Sequence, residues 1–173
     1  MTTESYLTDI PENISLLQST KFTFVIPEMP FAKYFCQRVN LPGVSTSPAA
    51  FETPFSKVNL HGDKLVYEPL NISFLIDEDL RVWEETYEWL KSLTFPHDFD
   101  EYKRRNLKKV DENYYDGILT VNNNANLENL RITYHHVHPI ALSGIDFNTM
   151  IDANEIITAT VTFSYDTFSI ERL

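Results

Sequence analysis

Apolar and polar residues alternate with a period of two along most of this chain, and with helical spacing along one stretch. From Lys21 to Ile26, Phe22, Phe24 and Ile26 fall on one face and Thr23 and Val25 on the other; this is the pattern of a half-buried strand. Pro27 and Pro30 mark a hairpin-like turn through Met29, and an aromatic-rich second strand is predicted over Ala32 to Val39. Leu70, Ile72, Phe74 and Ile76 alternate strictly, and Pro69 before them removes a ladder donor, as at an edge or a bulge. Towards the C-terminus, Gly117 to Val121, Leu130 to Ile140 and Glu155 to Ile170 read as strands. In the last, Ile157, Ala159, Val161, Phe163 and Tyr165 oppose a threonine-rich face, as in a sheet packed on one side. The Asn-rich run from Asn122 to Asn129 is a turn, because asparagine tolerates left-handed backbone and bonds to its own chain.

The period changes over Asp77 to Leu93. Leu80, Trp83, Tyr87 and Leu90 recur at three and four, Trp89 and Leu93 widen the stripe, and Glu84, Glu85 and Glu88 mark the opposite face. Asp77, Glu78 and Asp79 place negative charge where a helix start favours it, and Pro96 follows the end. One helix beside about seven strands gives an α+β fold: a mostly antiparallel β-sandwich or barrel with one flanking helix and a long extended loop. Residues 1–20 are predicted as an N-terminal arm with an apolar patch at Ile14, Leu16 and Leu17, and residues 21–173 as a single domain.

The loop is Asn40 to Lys64. It carries three prolines and two glycines yet alternates again near its end, where Phe55 to Leu60 is expected to pair with Leu65 to Ile76 across His61-Gly62-Asp63. A loop of this length in a compact domain is usually functional.

Composition narrows the picture. The 173 residues suffice for a core without staples, and 43% hydrophobic with 13% aromatic content excludes a disordered chain. No apolar run reaches the roughly 18 residues that a membrane helix needs, and the acidic N-terminus lacks the features of a signal peptide. The single cysteine, Cys36, reads as a small buried residue. A net charge of −11 argues against nucleic-acid and anionic-membrane partners.

Candidate chemistry is sparse. His136 and His138, expected to share a strand face with Tyr134, are weak metal candidates lacking a third ligand; strand-surface histidines are the simpler reading. No phosphate loop, nucleophile elbow or zinc-protease motif is present. No catalytic residue and no cofactor are expected. The basic cluster Lys103, Arg104, Arg105, Lys108 and Lys109 is flanked by acids, in a charged surface excursion over residues 97–115. It reads as a contact with an acidic protein surface rather than with DNA.

One resemblance gathers these elements. The strand ending in Leu41-Pro42-Gly43, then Pro54-Phe55, Lys57-Val58-Asn59 and Gly62-Asp63-Lys64, the strand from Leu70, the acid-capped helix with Trp89 and the closing strands resemble, in order and spacing, the tail tube proteins of contractile-tailed bacteriophages. The resemblance implies a structural, non-enzymatic virion protein, assembled in the host cytoplasm. Six copies would join their sheets into a ring, and rings would stack through the loop, with Leu41, Pro42, Gly43, Phe51, Pro54, Phe55, Lys57, Asn59, Gly62 and Asp63 as stacking residues and Phe51 and Phe55 as anchors. Implied partners are further copies, sheath and baseplate proteins, and a tape measure protein and DNA in the lumen without specific binding; no membrane is implied. A baseplate initiator or tail terminator shares the fold and remains an alternative. The alternative of another class is a small β-barrel that binds a ligand or acts as an enzyme.

Overall fold

The computed structural model describes residues 14–52, 54–94, 114–150 and 156–173. In chain order its elements are β1 (Phe22–Val25), α1 (Ala32–Phe35), β2 (Cys36–Val39), β3 (Val44–Thr46), β4 (Ala49–Glu52), β5 (Lys57–Leu60), β6 (Leu65–Tyr67), β7 (Leu70–Leu75), α2 (Arg81–Thr94), β8 (Tyr115–Asn122), β9 (Glu128–Leu142), β10 (Thr158–Ser164) and β11 (Thr167–Arg172). Seven strands form one antiparallel sheet in the order β1-β8-β9-β10-β7-β2, with β11 also on β9. The fold is α+β, and the sheet is open rather than a closed barrel: β1 and β2 end its path.

The long β9 organises the sheet. Its first part pairs with β8 and β11, and its last part with β10. Between them the buried positions shift from Ile132 and Tyr134 to Val137, breaking strict alternation. The cause is a β-bulge: Tyr115 opposes Val137 while Gly117 opposes Tyr134, and His136 takes φ 57°. The extra residue turns the strand, so the two halves of the sheet enclose one core. Phe24, Leu119, Ile132 and Tyr134 from one half meet Leu70, Ile72, Phe74, Val161 and Phe163 from the other. Each such side chain contributes about 1.5–3 kcal/mol on burial.

Several expected elements differ. Residues 32–39 are not one strand: turn bonds from Ala32 N–H to Met29 O (3.1 Å) and Tyr34 N–H to Phe31 O (3.0 Å) wind α1 before β2 begins. Nor do β1 and β2 form a hairpin, since β1 pairs with β8 and β2 with β7. Pro69 is neither at an edge nor in a bulge; it lies in the junction between β6 and β7. The predicted strand over 155–170 is divided at Tyr165-Asp166 into β10 and β11, because each needs a different part of β9.

The helix α2 starts at Arg81, four residues after the predicted start. Asp77 Oδ1 accepts the Arg81 N–H at 3.0 Å, and Leu80, at φ 56°, lies before the helix with its carbonyl accepting the Glu84 N–H. The buried stripe is Val82, Thr86 and Trp89, not Trp83, Tyr87 and Leu90. Trp89 settles the facing: it meets Tyr115 edge-on at 5.6 Å and Phe163 at 5.8 Å. The Asn-rich turn is as expected, with Asn126 at φ 65° and Asn123 Oδ1 accepting the N–H of Ala125 and Leu127.

Candidate assembly surface

The segment between β2 and β7 is a long β-hairpin, not an extended loop. The rungs near its root pair Val44 with Tyr67 and Thr46 with Leu65; the rungs near its tip pair Ala49 with Leu60 and Glu52 with Lys57. This overturns the expected pairing of Phe55–Leu60 with the run from Leu65, because β4 and β3 lie on the other side of the turn and supply the partners. Between the two pairs of rungs, Ser47-Pro48 on the outgoing side faces the longer His61-Gly62-Asp63-Lys64 on the return, so the hairpin jogs. Gly62 makes the jog possible: a Cβ there would lie 1.9 Å from the Ser47 carbonyl oxygen.

Alternation gives the outer end of the arm two chemical faces. Ala49, Phe51, Val58 and Leu60 share one; Ala50, Glu52, Lys57 and Asn59 share the other. All eight are exposed. Phe51 keeps 60% of its surface and Phe55, at the tip beside exposed Pro54, keeps 98%, so neither folds back into the core. Leu41 and Asp63 are also exposed, whereas Pro42 is buried at the root.

The root is tied on both sides. Gly43 and Glu68 exchange bonds: Glu68 N–H to Gly43 O at 3.0 Å, and Gly43 N–H to Glu68 Oε2 at 3.3 Å. Asn40 Oδ1 accepts the Asn71 N–H at 2.6 Å, while its Nδ2 donates to Pro69 O at 3.2 Å. Tyr67 packs against Tyr165 and Phe168 at 5.8 and 5.6 Å, and the Tyr165 hydroxyl donates to Glu68 O at 3.0 Å. Burial, with Tyr67 and Glu68 nearby, raises the Tyr165 pKa and keeps this donor protonated. Sequence reading missed Tyr165 and Glu68; two single residues far apart in the chain carry no spacing signal. It also missed Leu60, although its alternation with Val58 was legible.

The other candidates are dispersed. His135 Nδ1 lies 3.2 Å from Asp116 Oδ2, and His136 Nδ1 lies 2.6 Å from Asp166 Oδ2. His136 does not share the face of Tyr134, which is fully buried, because the bulge intervenes. His138 Nδ1 lies 3.3 Å from the His136 carbonyl. Among the described residues no three His, Cys, Asp or Glu side chains converge as a metal site. Lys103, Arg104, Arg105, Lys108 and Lys109 lie outside the described residues, as do Pro96 and most of the N-terminal arm. Cys36 is partly buried; burial pushes its thiol up to about 11.

The profile of the family described as Phage tail tube protein matches residues 7–171. The chain belongs to that family. Solved structures share the tail tube fold at low identity. The tube-terminating cap of the anti-feeding prophage aligns with TM-score 0.63 and 13% identity, over 98% of this chain and 99% of its own. A chain of the sheath-tube complex of the PVC extracellular contractile injection system aligns with TM-score 0.59 and 13% identity, over 100% and 99%. Hcp1 from Salmonella typhimurium aligns with TM-score 0.50 and 14% identity, over 90% and 87%. No curated protein matches this tail tube protein. Membership makes it a structural component of a phage tail.

Proposed function

We propose that the chain closes head to tail into rings, hexameric by the family resemblance, and that the rings stack into the inner tube of a contractile tail. The observation that carries this reading is the arm: an apolar face held in solvent on a two-stranded hairpin whose root is already fixed. Such a hairpin is marginal alone, and ordering it before contact lowers the entropy cost of docking. The proposed stacking residues are those expected from the sequence, with Phe51 and Phe55 as anchors and with Ala49, Val58 and Leu60 completing the face. The terminal strands β1 and β2 supply edges for neighbours within a ring. Sheath, baseplate and tape measure proteins are the proposed partners, DNA passes without specific binding, assembly takes place in the host cytoplasm, and no catalysis is assigned.

A baseplate initiator or terminator is the second reading, favoured by the fold shared with the prophage cap. The ligand-binding barrel has no comparable support, since the sheet does not close.

The test is excision of the arm. Removing only one of its sides would strand the other, so residues 44–67 are replaced by a short turn; Gly43 and Glu68 are already hydrogen-bonded across the gap. The excised subunit should melt cooperatively yet form no stacked rings in electron micrographs. Tubes of normal length from this variant would refute stacking by the arm. With the intact chain, long hollow tubes favour the tube, and single rings that never extend favour the initiator or cap.

A further inference from the structure

The half of the sheet that carries the arm has two unlike ends. At one end Leu70 opposes Phe163, Phe163 opposes Pro139, and the arm leaves there. At the other end Leu75 opposes Thr158, the Ile76 N–H donates to Ile157 O at 3.0 Å, and the connection from β9 to β10 leaves there. The arm and this connection therefore depart from opposite ends of the same strands.

The end without the arm has a firm footing and an apolar surface. Ser143 is tied twice: its N–H donates to Thr160 O at 2.9 Å, and its carbonyl accepts Trp83 Nε1 at 3.1 Å. Beyond it, Asn148 Oδ1 accepts the Met150 N–H at 2.9 Å in a local turn. On this footing Phe147, Met150 and Ile156 keep 80%, 93% and 69% of their surface, and Ile157 is exposed as well. One exposed apolar residue is ordinary; several in one connection mark a contact surface.

Polarity says what meets them. Copies stacked in one direction turn opposite ends towards each other, so the end that bears the arm faces the end that bears this connection. The arm has the reach: Val44 to Glu52 can span up to roughly 30 Å at about 3.3 Å per residue, more than the six residues of β7. Charge agrees. Residues 44–67 hold Glu52 and Asp63 against Lys57 and Lys64, so the arm is neutral in a chain of net charge −11. Near the opposite end, the described residues include Asp77, Glu78, Asp79 and Asp146 against Arg81. An acidic arm would be repelled there; a neutral arm with two lysines is not.

Building on the reading that the arm stacks rings, we infer that Phe147, Met150, Ile156 and Ile157 are the seat for the arm of a second copy of this chain in the next ring. Phe51, Val58 and Leu60 of one copy pack on them, and the unbranched Met150 side chain adapts to the incoming aromatic ring. Plug and seat then lie at the two ends of one half-sheet. A finished stack has a row of unused arms at one end and a row of unused seats at the other.

The experiment uses rings with one end disabled. Phe147→Asp combined with Met150→Asp puts charge on the seat at positions already in solvent, so the subunit should keep the parent's melting temperature. Alone it should form rings, and its tube mass in sedimentation should fall about tenfold or more. Mixed with rings of the arm-excised chain, it should give pairs of rings and nothing longer, because the mixture holds one intact arm and one intact seat. Tubes of parental yield from the seat variant, or no pairing in the mixture, overturn the inference and leave stacking by the arm standing. Normal tubes from the arm-excised chain overturn stacking by the arm, and the seat with it. Should the seat variant misfold, cross-linking decides. Copies with Leu60→Cys and copies with Met150→Cys, both on Cys36→Ser, are assembled together and treated with a short bis-maleimide. Adducts that join one of each, told apart by mass, are expected; tubes without them overturn the seat.

Discussion

Glu85 shows how a single side chain works against its own fold. It sits on α2 with Oε2 buried and, among the described residues, without a hydrogen-bond partner. Burial first, then the charges of Glu28 and Asp77, pushes its carboxyl above the ordinary value. A carboxyl that binds its proton more tightly in the folded than in the unfolded chain favours folding when protonated. Its stabilising effect is present at acid pH and is lost as pH rises through the raised value. Glu85→Gln should therefore raise the melting temperature modestly at neutral pH, since solvent screens a carboxyl that is only partly buried, and narrow the difference between neutral and mildly acid conditions. A calorimetric melt at the two pH values checks this; an unchanged or lower melting temperature at neutral pH would show that the charge is tolerated. At the same scale, the helix facing was not legible from spacing. Trp83 and Tyr87 fit a core stripe as well as Val82 and Trp89 do. Yet they stack on each other at 5.5 Å, Tyr87 exposed and Trp83 only partly buried at the margin of the core, and Trp83 Nε1 donates to Ser143 O. Tertiary packing chose between two apolar stripes that periodicity could not separate.

At the scale of the element, the arm was legible as important, but not which of its strands pair. Its rungs are short, three or four residues each, and the jog at Ser47-Pro48 interrupts the alternation that would have announced a long strand. The chain turns back near Pro54, where the sequence lacks the Asn-Gly or Asp-Gly signature of a tight hairpin. The Gly62-Asp63 pair, which looks more like a turn, sits instead at the jog. Gly62→Val should therefore act on the arm alone. Its side chain would collide with the Ser47 backbone, displacing the rungs on either side of the jog. The core lies elsewhere, so global stability should change by under about 1 kcal/mol, while tube formation should fall sharply in sedimentation. A large drop in melting temperature would show that the arm is coupled to the core more tightly than its exposure implies. The alternating strands β7 and β10, by contrast, were read correctly because one face of each is fully committed to the core.

For the whole molecule, charge would set the condition for the proposed assembly. Each copy carries −11, so bringing copies together in the proposed ring would concentrate like charge. Screening shortens the range of that repulsion to about 10 Å at 0.1 M salt. Raising salt from about 10 mM to about 200 mM should therefore speed tube growth at fixed protein concentration, as followed by light scattering. Slower growth with salt would mean that attractive charge contacts, rather than the apolar arm, dominate the interface.

The bent strand β9 has one more consequence, for how subunits are supplied. Its first part is held by β8 and β11, its last part by β10, and the core fills the angle between. Neither half of the sheet can melt without stripping partners from the strand that the other half needs. Folding is then a single cooperative event, and partial unfolding that spares one half is penalised. In the proposed tube, a growing polymer would meet copies that are complete or unfolded, so half-formed copies would rarely be built in as defects.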